Sequence, residues 1–335
     1  MITRFHRRDK AVDLTEAWDQ LAGNYFQSAA FLSYLERYNP CQQRYYLAYE
    51  DKKLVSGAVV YTLRLDLLTY LGIRSPMKIK IAGIPCSVSC PGITGSTQHI
   101  REHIDRISAL EKGLVLFLNL DENWTDPKYA SGHTLPTVLI RNRFGTWEDY
   151  LLALRSDYRR RINKISRQGR ECSLVQMDFG DFSTEMYAQY LEVYKRSSGK
   201  LEKLEHDFFC NLGDPFVLTA CLHLDNVLGW TITLRGNEDF YFFLGGVDYS
   251  LNRMYGSYFR LLANVVRQGI ESGADRIDLG QTAEIPKMRL GGYLEERYME
   301  ASHSFSPVHR VFKLFENSLQ YKRSIPSTHA FKAKS

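Results

Sequence analysis

Apolar residues recur three and four positions apart in the segment HIREHIDRISALEKG, at Ile100, Ile104, Ile107 and Leu110. That spacing lines one face of an α-helix, and Gly113 reads as its stop. An unbroken apolar run, LVLFLNL, follows and predicts a buried strand. The same grammar returns later in the chain. GSYFRLLANVVRQGIESG predicts an amphipathic helix ending at Gly273, and DRIDLG predicts the strand after it. Ahead of each unit, aromatic and β-branched stretches are split by short polar turns. Tyr45–Tyr49 and Leu54–Leu65 form a hairpin around EDKK, and FVLTACLHLDNVLGWTITLRGNEDFYFFLGGVD reads as three strands with turns at DN and GNED.

Other elements fit around these. Residues 16–38 are helical with a break near Gly23 and Asn24, LPTVLIR is a further strand, and two helices fall within 181–212. The Pro-, Gly-, Ser- and Cys-rich segment 76–97 reads as strand and loop. Each half then has helices, a hairpin, a further segment, an amphipathic helix ending in Gly, and an apolar strand. The expectation is an α/β fold with mixed sheets, duplicated in tandem, with residues 1–145 and 146–335 as the two domains. A length of 335 residues suits two domains.

Composition changes this picture little. Hydrophobic residues are 44% and charged residues 24%, an ordinary globular balance. The six cysteines are scattered without a C-x-x-C, the N-terminus has no secretory apolar core, and no apolar run reaches the roughly 18–20 residues that span a bilayer. These features predict a reduced, cytoplasmic protein. The net charge of +5 permits a phosphate-bearing partner, and its distribution is uneven. Seven basic residues and one acidic residue lie between Arg155 and Arg170, in a predicted helix whose apolar face is Leu154, Tyr158, Ile162 and Ile165. Arg160, Lys164 and Arg167 share another face. With Arg159 and Arg161 they make a candidate surface for the phosphates of tRNA, or of a nucleotide- or lipid-linked acceptor.

Other motifs weigh less. His99 to His103 spells H-x-x-E-H, but Ile100 and Ile104 fill the buried stripe beside the histidines, so no metal is expected. Cys86 and Cys90 read as packing. There is no P-loop, G-x-G-x-x-G or G-x-S-x-G.

The order of elements resembles the core of the GNAT acyltransferase superfamily. In tandem, with a basic helix opening the second copy, it is similar to the Fem-type family, whose members transfer aminoacyl groups from tRNA onto peptidoglycan precursors. DYRRRINKISRQG, GWTITLRGNEDFYFFLGGVD, GSYFRLLANVVRQGIESGADRIDLG and PKMRLGG carry the resemblance. It implies an N-acyltransferase that moves an aminoacyl or acyl group from an activated donor to an amine, with cell-envelope precursors among the acceptors.

The resemblance also implies two sites. GNAT domains that use acyl-CoA carry Gln or Arg, two residues, Gly, one residue, and Gly or Ala at a helix N-terminus, where backbone amides cradle the pyrophosphate. Here RMYGSY supplies Arg253, Gly256 and Ser257 as donor-binding residues, with Tyr258 where Gly or Ala is expected. Tyr258 favours aminoacyl-tRNA over acyl-CoA as the co-substrate, and no other cofactor is implied. The family also carries a lysine after the last parallel strand and before a glycine-containing loop. Lys287, in PKMRLGG, matches it and becomes the catalytic candidate. Its ammonium would stabilise the tetrahedral oxyanion; with a lowered pKa it would instead take the proton of the attacking amine. An acyl-CoA-dependent acetyltransferase is the alternative reading. A non-catalytic module that binds RNA or an anionic polymer through residues 155–170 is the second.

Overall fold

The computed structural model describes residues 1–65, 77–124, 126–197, 201–322, 325–326 and 328–332. Strand β1 (Arg4–Arg8) is followed by helices α1 (Glu16–Leu21) and α2 (Ala29–Tyr38), then by β2 (Arg44–Glu50), β3 (Lys53–Leu65), β4 (Met77–Ala82) and β5 (Ile93–Gly95). Next come α3 (Thr97–Leu110), β6 (Leu114–Leu120), β7 (Ala130–His133) and β8 (Thr137–Arg141). Helices α4 (Trp147–Ala153) and α5 (Ser156–Gln168) lead to β9 (Cys172–Met177), α6 (Thr184–Arg196) and α7 (His206–Cys210). Strands β10 (Phe216–His223), β11 (Asn226–Arg235) and β12 (Asp239–Val247) precede α8 (Tyr249–Tyr255), α9 (Ser257–Glu271), β13 (Arg276–Asp278) and α10 (Glu284–Met288). Strands β14 (Tyr293–Glu295) and β15 (Tyr298–His303) come last with α11 (Ser306–Leu314) and α12 (Glu316–Leu319).

The chain forms two compact units, one of Met1–Leu135 with Glu296–Arg323 and one of Pro136–Glu295 with Ser324–Ser335. The boundary drawn from the sequence at 145 falls within the second unit, between β8 and α4.

In the first unit the sheet order is β1-β2-β3-β4-β6-β15-β7, with β5 beside β3. Strands β1 to β4 pair antiparallel, and α3 carries the chain to β6, which runs parallel to β4. The second sheet is β14-β8-β13-β12-β11-β10-β9. Here β9 to β12 pair antiparallel, and α9 carries the chain to β13, parallel to β12. The mixed α/β architecture read from the sequence is thus present twice, as tandem GNAT-like folds.

The partners at the end of each sheet were not legible. The strand beside β6 is β15, from the far end of the chain, and the strand beside β13 is β8, which precedes its whole sheet. An apolar run reports how buried a strand is, not which neighbour it takes.

The helices follow their patterns with two corrections. On α9, Leu262, Val265, Val266 and Ile270 are buried in one core with Val138, Ile140 and Ile277, and Leu261 is buried in another with Cys172, Cys221 and Leu228. On α3 the buried residues are His103, Ile104 and Ile107, whereas Leu110 is exposed. Glu111 turns inward instead, because Arg44 Nε and Tyr46 Oη donate to its carboxylate at 2.8 and 2.7 Å. The basic segment is two helices, α4 and α5, since Leu154 and Arg155 are extended between them. Thr146 and Asp149 close a reciprocal capping box at the start of α4. PKMRLGG is also not an open loop: its first three residues finish α10.

Candidate active site

Strand β13 stops after three residues. It pairs with β12 only at Asp239, Phe240 and Tyr241, and β12 continues to Val247 without it. A bulge lies in the continuing part, where Ile232 faces Leu244 but Thr233 faces Phe242, so Phe243 is extra. The parallel pair therefore opens just past Asp278.

The chain turns sharply at this opening. Gly280, Thr282 and Ala283 all have positive φ, at 71°, 60° and 47°. For Thr282 and Ala283 this left-handed backbone is strained, and such strain collects at functional loops. Asp278 holds the turn from inside, its Oδ1 accepting the Gly280 amide at 2.6 Å.

Lys287 lies beneath this turn, 2% exposed. Its Nζ donates to the carbonyls of Gln281 at 2.7 Å and Gly280 at 3.2 Å, and sits 5.7 Å from the Phe242 ring centre. Removal from water penalises its charged form and lowers its pKa to about 7, although the carboxylates of Asp278 and Glu284 pull the other way. Both carboxylates are themselves buried. Gly292 makes the position possible, because a Cβ there would lie 2.4 Å from Val138 Cγ1 and 3.0 Å from the Lys287 carbonyl. Among the residues selected from the sequence, Lys287 alone meets such a combination of burial, strain and charge. Asp278, Glu284 and the two carbonyls were not anticipated; a carboxylate at a strand end followed by Gly was the available signal.

The RMYGSY segment is the junction of α8 and α9. Gly256 caps both helices with φ 64°, and a Cβ there would come within 3.1 Å of Ile165 Cγ2 on α5. Ser257 is buried but caps nothing; its hydroxyl donates to Asn252 Oδ1 at 3.3 Å. The same Asn252 oxygen takes the Tyr258 amide at 2.9 Å. One amide at the start of α9 is therefore already bound, and the bare Gly256 lets α5 approach the junction. Arg253 is exposed, and its carbonyl accepts from Gln168 Nε2 at 2.9 Å. Tyr258 is half-buried, with its phenol pKa pushed up by burial and by the charges of Tyr249 and Glu284. Glu284 thus acts electrostatically on both Tyr258 and Lys287.

Helix α5 brings the basic residues to this junction through Gln168 and Ile165. Arg161 and Lys164 are exposed. Arg160 is exposed too, with Asp157 at 2.6 Å. Arg159 differs from the expected phosphate ligand. It is half-buried and donates to the carbonyls of Leu151 and Leu154 at 3.3 and 3.5 Å, neutralising the C-terminus of α4.

The H-x-x-E-H histidines do not converge. His99 Nδ1 lies 2.8 Å from Ser96 Oγ, and His103 Nδ1 lies 2.7 Å from Ser56 Oγ within the core. Among the described residues, no group of three or more His, Cys, Asp and Glu side chains has the geometry to hold a metal. Nor is any described helix long and apolar enough to cross a membrane.

Residues 153–293, which include the opened strand pair and Lys287, match the family model of the acetyltransferase (GNAT) domain. The C-terminal domain of a protein assigned as lysylphosphatidylglycerol synthetase from Agrobacterium fabrum is 9% identical, with 91% of this chain and 95% of that chain covered and a TM-score of 0.55. L-PGS from Bacillus licheniformis is 9% identical, with 86% and 94% covered and a TM-score of 0.51. FemX is 9% identical, with 81% and 90% covered and a TM-score of 0.49. No curated protein matches the chain. The domain match and the shared fold define an acyltransferase on tandem GNAT-like folds. They support the GNAT resemblance drawn from the sequence.

Proposed function

We propose that the chain transfers an aminoacyl or acyl group from an activated donor, aminoacyl-tRNA in preference to acyl-CoA, to the amine of a cell-envelope component. Lys287 serves as the proton acceptor. The observation that carries this reading is the burial of Lys287 at the point where β12 and β13 part. A neutral lysine amine has two N–H donors and one lone pair. The carbonyls of Gly280 and Gln281 match the two donors, which leaves the lone pair for a proton. In the reaction the acceptor nitrogen bonds to the acyl carbon and the ester or thioester bond breaks. The proton leaving nitrogen passes to Lys287 and then to the departing oxygen or sulfur. A pKa of about 7 suits both transfers at neutral pH. This replaces the oxyanion role expected from the sequence, which needs the charged form, with the proton-acceptor role given there as its alternative.

The donor preference rests on the bound Tyr258 amide and on the tyrosine itself, which crowds the start of α9. Arg160, Arg161 and Lys164 are assigned to phosphates of the tRNA or acceptor, with Arg253, Gly256 and Ser257 at the donor end. By its assigned name, the lysylphosphatidylglycerol synthetase that shares this fold joins a lysyl group to a lipid, which supports an aminoacyl donor and an envelope acceptor.

Mass spectrometry of products tests the reading. The protein is incubated separately with charged tRNA and with an acyl-CoA pool, each with amine-bearing envelope precursors. A product that forms with tRNA and disappears in Lys287→Ala supports it. A product from acyl-CoA alone reverses the donor, and no product from either overturns the proposal.

A further inference from the structure

Eleven large hydrophobic side chains are exposed among the described residues, and four of them fall between residues 305 and 315. They are Phe305 at 59%, Val311 at 53%, Leu314 at 80% and Phe315 at 56% exposed. Single exposed apolar residues are ordinary, but four within and at the ends of one short helix are not. Helix α11 already has an inward face: Val308 and Phe312 are half-buried, and the Phe312 ring stacks with His303 at 6.4 Å. Val311 and Leu314 are on the other face, where a helix packed on a sheet usually carries polar residues.

The surrounding charges are basic. Arg310 is exposed between the apolar residues, and Lys322 is exposed beyond α12. The Ser304 amide donates to the Gly113 carbonyl at 3.1 Å, and Ser304 Oγ accepts the Gly113 amide at 2.8 Å. These bonds tie Phe305 to the end of α3, where Leu110 and Lys112 are exposed as well. The carboxylate at the start of α12, Glu316, is held by Lys313 at 3.5 Å.

We propose that α11 and its flanks form a docking surface for an anionic phospholipid bilayer, with Phe305, Val311, Leu314 and Phe315 entering the headgroup boundary and Arg310, Lys112 and Lys322 meeting lipid phosphates. Apolar side chains surrounded by cations are the chemistry of an interfacial helix. A second copy of the chain fits less well. A two-fold contact through this face brings its cationic rim against the same rim of the other copy, like charge on like charge.

Cosedimentation with vesicles tests the proposal on the full chain. Vesicles containing phosphatidylserine should bind the protein, those of phosphatidylcholine alone at least tenfold less, and binding should fall at about 0.5 M salt. Leu314→Asp with Phe315→Asp should lower binding at least tenfold. Leu224→Asp, at an exposed leucine in the second unit, should leave it unchanged. Circular dichroism confirms that both variants are folded. No vesicle binding, binding indifferent to the double variant, or a wild-type dimer that the double variant dissociates would each overturn it.

Discussion

The two units share a strand order and differ in what each does at its parallel pair. In the first, β4 pairs with β6 over four residues, Ile79 to Ala82, and β6 runs only three residues further, from Phe117 to Leu120. In the second, β12 leaves β13 after three residues and bulges at Phe243. Among the described residues the buried base of each unit differs too. In the first unit it is His103 on α3, whose Nδ1 donates to Ser56 Oγ, because that hydroxyl's own proton goes to the Thr94 carbonyl at 2.7 Å. Burial lowers its pKa to about 3, so it stays neutral. In the second unit it is Lys287, under a strained turn, with a pKa near neutrality. Where the longer strand runs on only briefly past its parallel partner, the buried base is structure. A sheet that opens leaves a polar group poised for chemistry.

The largest expected effect tests this contrast directly. Lys287→Ala should lower acyl transfer at least a hundredfold, about 2.7 kcal/mol of barrier. His103→Phe should leave transfer per folded molecule within threefold. Steady-state rates for the two proteins measure this, and equal losses would erase the contrast.

The pH profile sharpens the role of the lysine. A proton acceptor works only when unprotonated, so kcat/KM should rise with pH and level off above about 7, with roughly a fivefold loss between pH 7 and 6. A fixed ammonium predicts the reverse, a decline above about 7.

Stability separates the units by pH. For both groups the folded pKa is below the unfolded one, so the unfolded chain binds more protons between the two values and stability rises with pH there. For His103 the window is about 3 to 6.5, and for Lys287 about 7 to 10.5. His103→Phe should therefore flatten the acid limb of the unfolding curve. Lys287→Met should flatten the alkaline rise and stabilise the protein at pH 7 by a few kcal/mol, as removal of a strained catalytic group often does. Denaturant titrations across pH measure both.

Much of this contrast was legible in the sequence, because it is written in local patterns. The amphipathic helices ending in Gly113 and Gly273 and the apolar strands after them marked both parallel pairs. Lys287 was reached through its place after DRIDLG. The rest depends on long-range pairing. Nothing in LPTVLIR says that it lies beside β13, and nothing in YMEASH says that it lies beside β6. The inward turn of Glu111 depends on Arg44 and Tyr46, distant in sequence. Arg159 looked like its basic neighbours until the helix break at Leu154 gave its guanidinium two carbonyls. The left-handed turn was hidden for another reason. Thr282 and Ala283 are poor choices for positive φ, so propensity argues against the conformation that forms.

That turn supports the smallest prediction. Thr282 has φ 60°, and left-handed backbone costs an ordinary residue about 1–2 kcal/mol. Thr282→Gly removes that strain but adds about 0.4–1 kcal/mol of unfolded-state entropy. Relief of strain outweighs the added entropy, so the variant should be stabilised by about 0.5–1 kcal/mol in chemical denaturation. The Gln281 and Gly280 carbonyls that hold Lys287 would then hang on a looser turn, and transfer should fall about two- to fivefold, a shift of roughly 0.4–1 kcal/mol. No comparable exchange is expected in the first unit, where His103 is held by side chains of the regular elements. If the glycine variant gained stability and kept full activity, the turn would be a strained connection and no more. The positioning of Lys287 would then rest on α10 and its carboxylates alone.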